Sequence, residues 1–223
     1  MTALIGSAPI ILLPAEVVSA VISALANILI QSWIFDCTAS VEALCKLSAS
    51  SPIHRKAMAQ SNLLCKALVT FSSHKHCGGV GNLAMETVHN LCMEPANQAC
   101  ICNDEDIFNL LVAVVSGTLK MGRRVYLHAV ASIVCLSAHE PNLKRMAKFG
   151  CLVPSLIEFS NGNKVNNETK TATVKLVVLL SRVVLKTSIP RPEKTNENKW
   201  MPFGKSNSSG NQGFASKSIV WAK

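Results

Sequence analysis

The chain has 223 residues, of which 49% are hydrophobic and only 5% aromatic, and it carries a formal charge of +9 at pH 7. That apolar content is enough for a substantial core, and its bias to Leu, Val, Ile and Ala suits helix-on-helix packing rather than a β-sandwich. The nine cysteines show no secretory spacing. Cys45, Cys65, Cys92 and Cys135 fall inside apolar runs, which excludes a disulfide framework and points to a reducing compartment, the cytoplasm or the nucleus.

In chain order, residues 1–14 read as an irregular N-terminus. Glu16 follows Pro14 and opens a helix. Val17 to Phe35 carries no charge over 19 residues, which meets the length of a membrane span. Ser19, Ser23, Asn27, Gln31 and Ser32 interrupt it, and no basic cluster flanks it. No positive start precedes it, as a signal peptide would require. A buried helix is expected, with membrane attachment through 17–35 as the alternative.

Val41, Leu44 and Leu47 recur at helical spacing within Ser40–Ser48, and Pro52 interrupts the run. His54–Gln60 reads as a short basic helix and Leu63–Phe71 as an apolar one. Ser72–Asn82 (SSHKHCGGVGN) reads as a loop. Leu83–Met93 is the next helix, followed by a break at Pro95, a short turn at Asn97–Cys102 and an apolar run at Ile107–Val115. Gly117–Gly122 is a loop. Tyr126–Leu136 is a small-residue apolar helix, Ser137–Pro141 a polar break, and Asn142 opens a short basic helix that Gly150 stops. An apolar run through Leu152, Val153, Leu156 and Ile157 follows. After a loop at Asn161–Asn167, Thr171–Leu185 is a last apolar helix. From about Lys186 the composition turns to Pro, Asn, Ser, Gly and Lys, too poor in apolar surface to offset its ordering entropy. Residues 187–223 are expected to be a disordered basic tail, with Trp200, Phe203, Phe214 and Trp221 scattered through it.

Three features recur in phase. Leu47, Leu91 and Leu136 each end an apolar helix, 44 and 45 residues apart. Six or seven residues on come His54, Asn97 and Asn142, each next to Pro52, Pro95 or Pro141. Fourteen residues after each leucine come Ser61, Glu105 and Gly150, then another apolar run. This period belongs to helical repeat arrays.

The pattern resembles the armadillo-repeat family, whose third helices end in an ALxNL-like motif. The matching segments are Ala24–Ile28, Ala43–Leu47, Thr87–Leu91 and Ser132–Leu136, and the resemblance spans residues 15–186. It implies an all-α fold: a right-handed α-α superhelix of about three to four repeats, with third helices lining a concave face. Asn27 and Asn90 keep the motif's Asn, whereas Lys46 and Cys135 replace it. Ser23, Glu42, Glu86 and Ala131 stand where importin-α-type members carry Trp, which argues against a groove for basic localisation peptides. The first motif lies only 19 residues before the second, so either the first repeat is truncated or the chain is a short form of a longer array.

Repeats bury their apolar faces by stacking, and residues four apart share one side of a helix. The resemblance therefore puts Glu42 and Lys46, Glu86 and Asn90, and Arg124 and His128 in the groove. Asn90 would grip a peptide backbone, and Glu42, Lys46 and Glu86 would read its charges. The alternative for Glu42 and Lys46 is a solvated ion pair.

The expected function is a monomeric, non-enzymatic scaffold or adaptor for a protein or extended peptide, with no cofactor. His74, His76 and Cys77 are too closely spaced for one tetrahedral metal, and Cys100 and Cys102 likewise. Gly78–Gly81 lacks the GK[ST] of a phosphate-binding loop. No nucleophile–base pair stands at a recognisable spacing. Arg123–Arg124 and Lys144–Arg145 lack nearby aromatics for stacking bases, so nucleic-acid binding is a minor alternative.

Overall fold

The computed structural model describes residues 14–31, 37–73, 78–162 and 167–188. The expected irregular segment 1–13, the end of the uncharged stretch at 32–36, His74–Cys77 and the tail from 189 lie outside the described residues. The chain divides into two units, Met1–Ile189 and Pro190–Lys223, and every described residue belongs to the first. That unit is all-helical, with no strand among the described residues.

The helices are α1 (Ala15–Gln31), α2 (Thr38–Ser50), α3 (Pro52–Ala59), α4 (Asn62–Ser73), α5 (Gly78–Cys92), a 3-10 turn (Pro95–Asn97), α6 (Gln98–Asn103), α7 (Glu105–Val115), α8 (Arg123–Leu136), α9 (Glu140–Met146), α10 (Leu152–Asn161) and α11 (Asn167–Ser188). Their starts follow from sequence. Pro52, Pro95 and Pro141, read as breaks, occupy the first turns of α3, the 3-10 turn and α9. A proline there lacks only an N–H that has no intrahelical acceptor, and its φ is already helical. Ser51 caps α3 by accepting from the Ile53 N–H, and Asp104 caps α7 by accepting from the Ile107 N–H at 3.0 Å. Ser61 does the same for Leu64 at the start of α4. Glu105 and Asp106 then place negative charge on the positive end of the α7 dipole. At the other end of α7, Gly117 takes φ +73°. That left-handed backbone costs glycine little and lets the chain leave the helix toward α8.

The expected loop at 72–82 is the largest departure. α4 continues to Ser73 and α5 begins at Gly78, so the glycine-rich stretch forms a helical first turn. Val80, Gly81, Ala84 and Met85 are buried there. Core burial along that face outweighs the roughly 1 kcal/mol that each helical glycine costs. The short turn at 97–102 is likewise helical from Gln98, and α11 runs from Asn167 to Ser188, beyond both ends of the expected helix Thr171–Leu185.

Packing repeats with every third helix. α1 lies on α4, α4 on α7 and α7 on α10; α2 lies on α5, α5 on α8 and α8 on α11. α3 meets the 3-10 turn, and α6 meets α9. One continuous core runs through these rows, from Val18, Ile22 and Leu29 of α1 to Leu176 and Leu180 of α11. The three phased leucines all fall on the row α2, α5, α8. Ala24–Ile28 does not, because α1 packs on α4. The short interval between the first two motifs therefore separates two different helix positions.

The residues that follow the phased leucines join one unit to the next. Asn97 is 1% exposed, and its amide donates to the Leu91 carbonyl at 3.3 Å and the Arg55 carbonyl at 3.0 Å. Asn142 is 3% exposed and donates to the Leu136 carbonyl at 2.9 Å and the Gln98 carbonyl at 3.1 Å. Each asparagine thus adds a second donor to a carbonyl at the end of the preceding long helix, which also accepts a backbone N–H at 3.3 Å. Each also reaches the residue just after its counterpart in the preceding unit. At the first rung stands His54, whose Nδ1 lies 2.8 Å from Ser50 Oγ.

Arg55 adds a second tie. Its guanidinium donates to the Ser48 carbonyl at 3.2 Å and pairs with Glu94 at 3.4 Å, both side chains being about four-fifths buried. Glu94→Gln is expected to destabilise the fold by about 1–2 kcal/mol, because the mostly buried guanidinium loses its counter-charge. Urea unfolding followed by circular dichroism would measure it. An unchanged midpoint would mean that the pair contributes nothing.

The cysteines behave as apolar side chains. None of the eight described is in a disulfide; Cys37, Cys45, Cys65, Cys92 and Cys102 are buried. Burial pushes the Cys65 thiol up to about 12 and raises Cys92 further, so neither is a thiolate at neutral pH. No described helix is long and apolar enough to cross a membrane. Val18, Ile22, Ala26 and Leu29, the inward face of α1, are fully covered.

Candidate binding groove

The row α2, α5, α8 carries all six residues expected in a groove. On α5, Val80, Ala84, Met85, Val88, Leu91 and Cys92 are buried. At a helical period this turns Glu86, His89 and Asn90 toward the opposite, half-buried side. On α8, Val125, Ala129, Val130, Ile133 and Leu136 are buried. Arg124 is exposed, and His128, one turn later, is half-buried.

Three of the six residues meet. Glu86, Arg124 and His128 line a cleft of about 480 Å³ between α5 and α8, with Asn82, Leu83 and Leu127 completing its walls. It therefore offers one carboxylate, one guanidinium, one imidazole and two leucines to a ligand. Glu42 and Lys46 are not part of it. They pair with each other at 2.7 Å on the exposed surface of α2. Lys46 holds the Glu42 carboxyl below its ordinary range, and Glu42 holds the Lys46 ammonium above its own. Asn90 lies toward α2 and donates to Ser48 Oγ at 2.9 Å. Ser48 passes its own proton to the Cys45 carbonyl at 2.7 Å. Part of the Asn90 amide is thus committed to the α2–α5 seam, which leaves its carbonyl oxygen as the group to offer a peptide.

Sequence reasoning missed His89. Its ring meets that of His128 at a centroid distance of 5.8 Å and an interplanar angle of 42°. Burial lowers both imidazoles from the ordinary histidine value of 6.5. For His89 the neighbouring His128 adds to the fall and Glu86 opposes it. For His128, Glu86 opposes it and Arg124 adds to it. Both rings are therefore mainly neutral at pH 7, and His128, which lines the cleft, offers it a hydrogen-bonding group and not a charge. The local clue was the i, i+3 spacing of Glu86 and His89; the partner, 39 positions downstream, had none.

A second cleft of about 560 Å³ opens beside α8 and α10, with Tyr126 and Phe159 in its wall and Arg123 and Glu158 at its edge. Those two rings are 5.3 Å apart. Cys100 and Cys102, set aside as ligands, lie on α6, the first exposed and the second buried. Among the described residues no group of three or more His, Cys, Asp or Glu side chains could hold a metal ion. No protein-family model matches this chain, and no curated protein matches it.

Proposed function

We propose that this chain is a non-enzymatic adaptor of armadillo-like architecture. It stacks about three to four three-helix repeats into a right-handed superhelix, and α2, α5, α8 and α11 line its ligand-binding side. Three observations support the reading. Helices pack on their counterparts at every third position. Asn97 and Asn142 make the same two hydrogen bonds 45 residues apart. The phased leucines share one row.

The observation that carries the function is the α5–α8 cleft, where Glu86, Arg124 and His128 converge on a space large enough for a side chain. A concave, partly apolar cleft with a few converging polar groups is the usual form of a recognition site. An extended segment along α2, α5 and α8 would place a basic side chain against Glu86 and an acidic one against Arg124. Its backbone would meet the Asn90 carbonyl.

Reversing the charges tests this. Proximity-labelled partners of the full chain would be compared with those of a Glu86→Lys, Arg124→Glu double variant and of a control, Lys66→Glu, on the exposed side of α4. The double variant should lose at least about tenfold in recovery of a specific partner set, equivalent to about 1.4 kcal/mol, while the control keeps it. Equal recovery by both variants would remove the groove from the account.

A further inference from the structure

The contact between His89 and His128 is the one place in the described seam where two titratable rings from different helices touch. One of the two rings, His128, lines the α5–α8 cleft. His89 Nδ1 is buried and has no hydrogen-bond partner, so the protein gives no acceptor to a proton placed there.

We propose that this ring pair is an acid-operated latch on the α5–α8 seam, closed while both rings are neutral and released when both carry protons. The reason is a count of charges. Glu86 is the carboxylate that acts on both rings, and Arg124 is a cation that acts on His128. One imidazolium can be offset by Glu86. A second would face the first and, at His128, the Arg124 guanidinium, and among the described side chains no further carboxylate acts on either ring. Two like charges at this distance in a half-buried site repel strongly.

The surrounding helices do not supply the missing charge. α2 brings Glu42 and Lys46, already paired, and the Cys45 thiol, which interacts with Glu86. α3 brings Arg55, tied to Glu94, and Lys56; α4 brings Lys66 and the buried Cys65. Along α8, α7 carries Glu105 and Asp106 on its first turn, and α11 carries Lys170, Lys175, Arg182 and Lys186. None of these is among the charges acting on either ring.

The sign follows. A histidine whose folded value lies below its unfolded one stabilises the fold fully above about pH 6.5. That stability is lost as the pH falls from there toward the folded value. Release therefore belongs to mildly acidic conditions, and it stands whether or not the cleft binds a peptide.

Amide exchange on the full chain, corrected for intrinsic rates, at about pH 7.5 and about pH 5.5, tests it. Protection of 78–92 and 123–136 should fall more than that of 62–73 and 105–115, because only the first two segments carry the ring pair. His128→Phe, which keeps a ring but cannot take a proton, should shrink the difference to the part that burial of His89 alone supplies. If circular dichroism shows that variant unfolded, His128→Gln replaces it. Imidazole titration of the wild-type chain by NMR should show two separated steps, both below the ordinary value. A uniform change in protection, a full acid response in the variant, or a single step at or above 6.5 would each overturn the latch.

Discussion

Asn142→Asp should be the most damaging single-atom change in the chain. The Asn142 amide nitrogen serves two carbonyls, Leu136 at the end of α8 and Gln98 in the preceding unit. Truncation to Ala takes one donor from each carbonyl, leaving Leu136 with the His139 N–H at 3.3 Å and Gln98 with its own helix, and should cost about 1–2 kcal/mol. The aspartate goes further, because a carboxylate oxygen then faces two carbonyl oxygens in a site only 3% exposed. A loss above about 3 kcal/mol is expected at neutral pH, a large share of the stability of an ordinary domain.

The pH dependence separates this from loss of packing. In the aspartate variant the folded state favours the protonated acid, so its carboxyl value is raised. Stability should then return as the pH falls through that raised value, opposite in direction to the histidine effect. Urea melts of the wild type and both variants across pH would show it. An aspartate variant as stable as the alanine one at neutral pH would mean that the asparagine nitrogen is not the donor.

The second large effect belongs to Phe108. This ring is fully buried, packs edge-on against Phe149 at 5.4 Å and lies under the Arg145 guanidinium at 4.6 Å. It joins α7 to the loop after α9. Phe108→Ala should cost about 3–5 kcal/mol through the lost transfer energy and the cavity left behind. Phe108→Leu keeps most of the volume but loses the cation–π contact, and should cost less, about 1–2 kcal/mol. Thermal and urea melts would order the three proteins. A leucine variant as damaged as the alanine one would shift the weight from packing volume to the aromatic face.

The phases of Leu47, Leu91 and Leu136, and of the residues six or seven positions later, were legible because burial and helix termination leave marks at fixed intervals along the chain. The prolines were legible as interruptions, although they act as helix starts. The Gly78–Gly81 segment was misread, since its composition favours a loop and only the core beneath Val80, Ala84 and Met85 makes it helical. At the candidate site, Glu86, Arg124 and His128 were found from helical spacing on separate helices. Their convergence depends on how α5 lies against α8.

By itself the sequence determined that the chain is helical, roughly where most helices end, and which face of each is apolar, because those properties depend on neighbours within a turn or two; most helices start two to five residues earlier than their apolar runs. The tertiary structure alone decided that Asn97 and Asn142 bridge units, that Arg55 reaches Glu94, and that His89 meets His128. Each of these contacts joins residues about 40 positions apart. No local pattern encodes such a meeting. It follows only once the apolar faces have stacked and fixed which polar groups are left opposite one another.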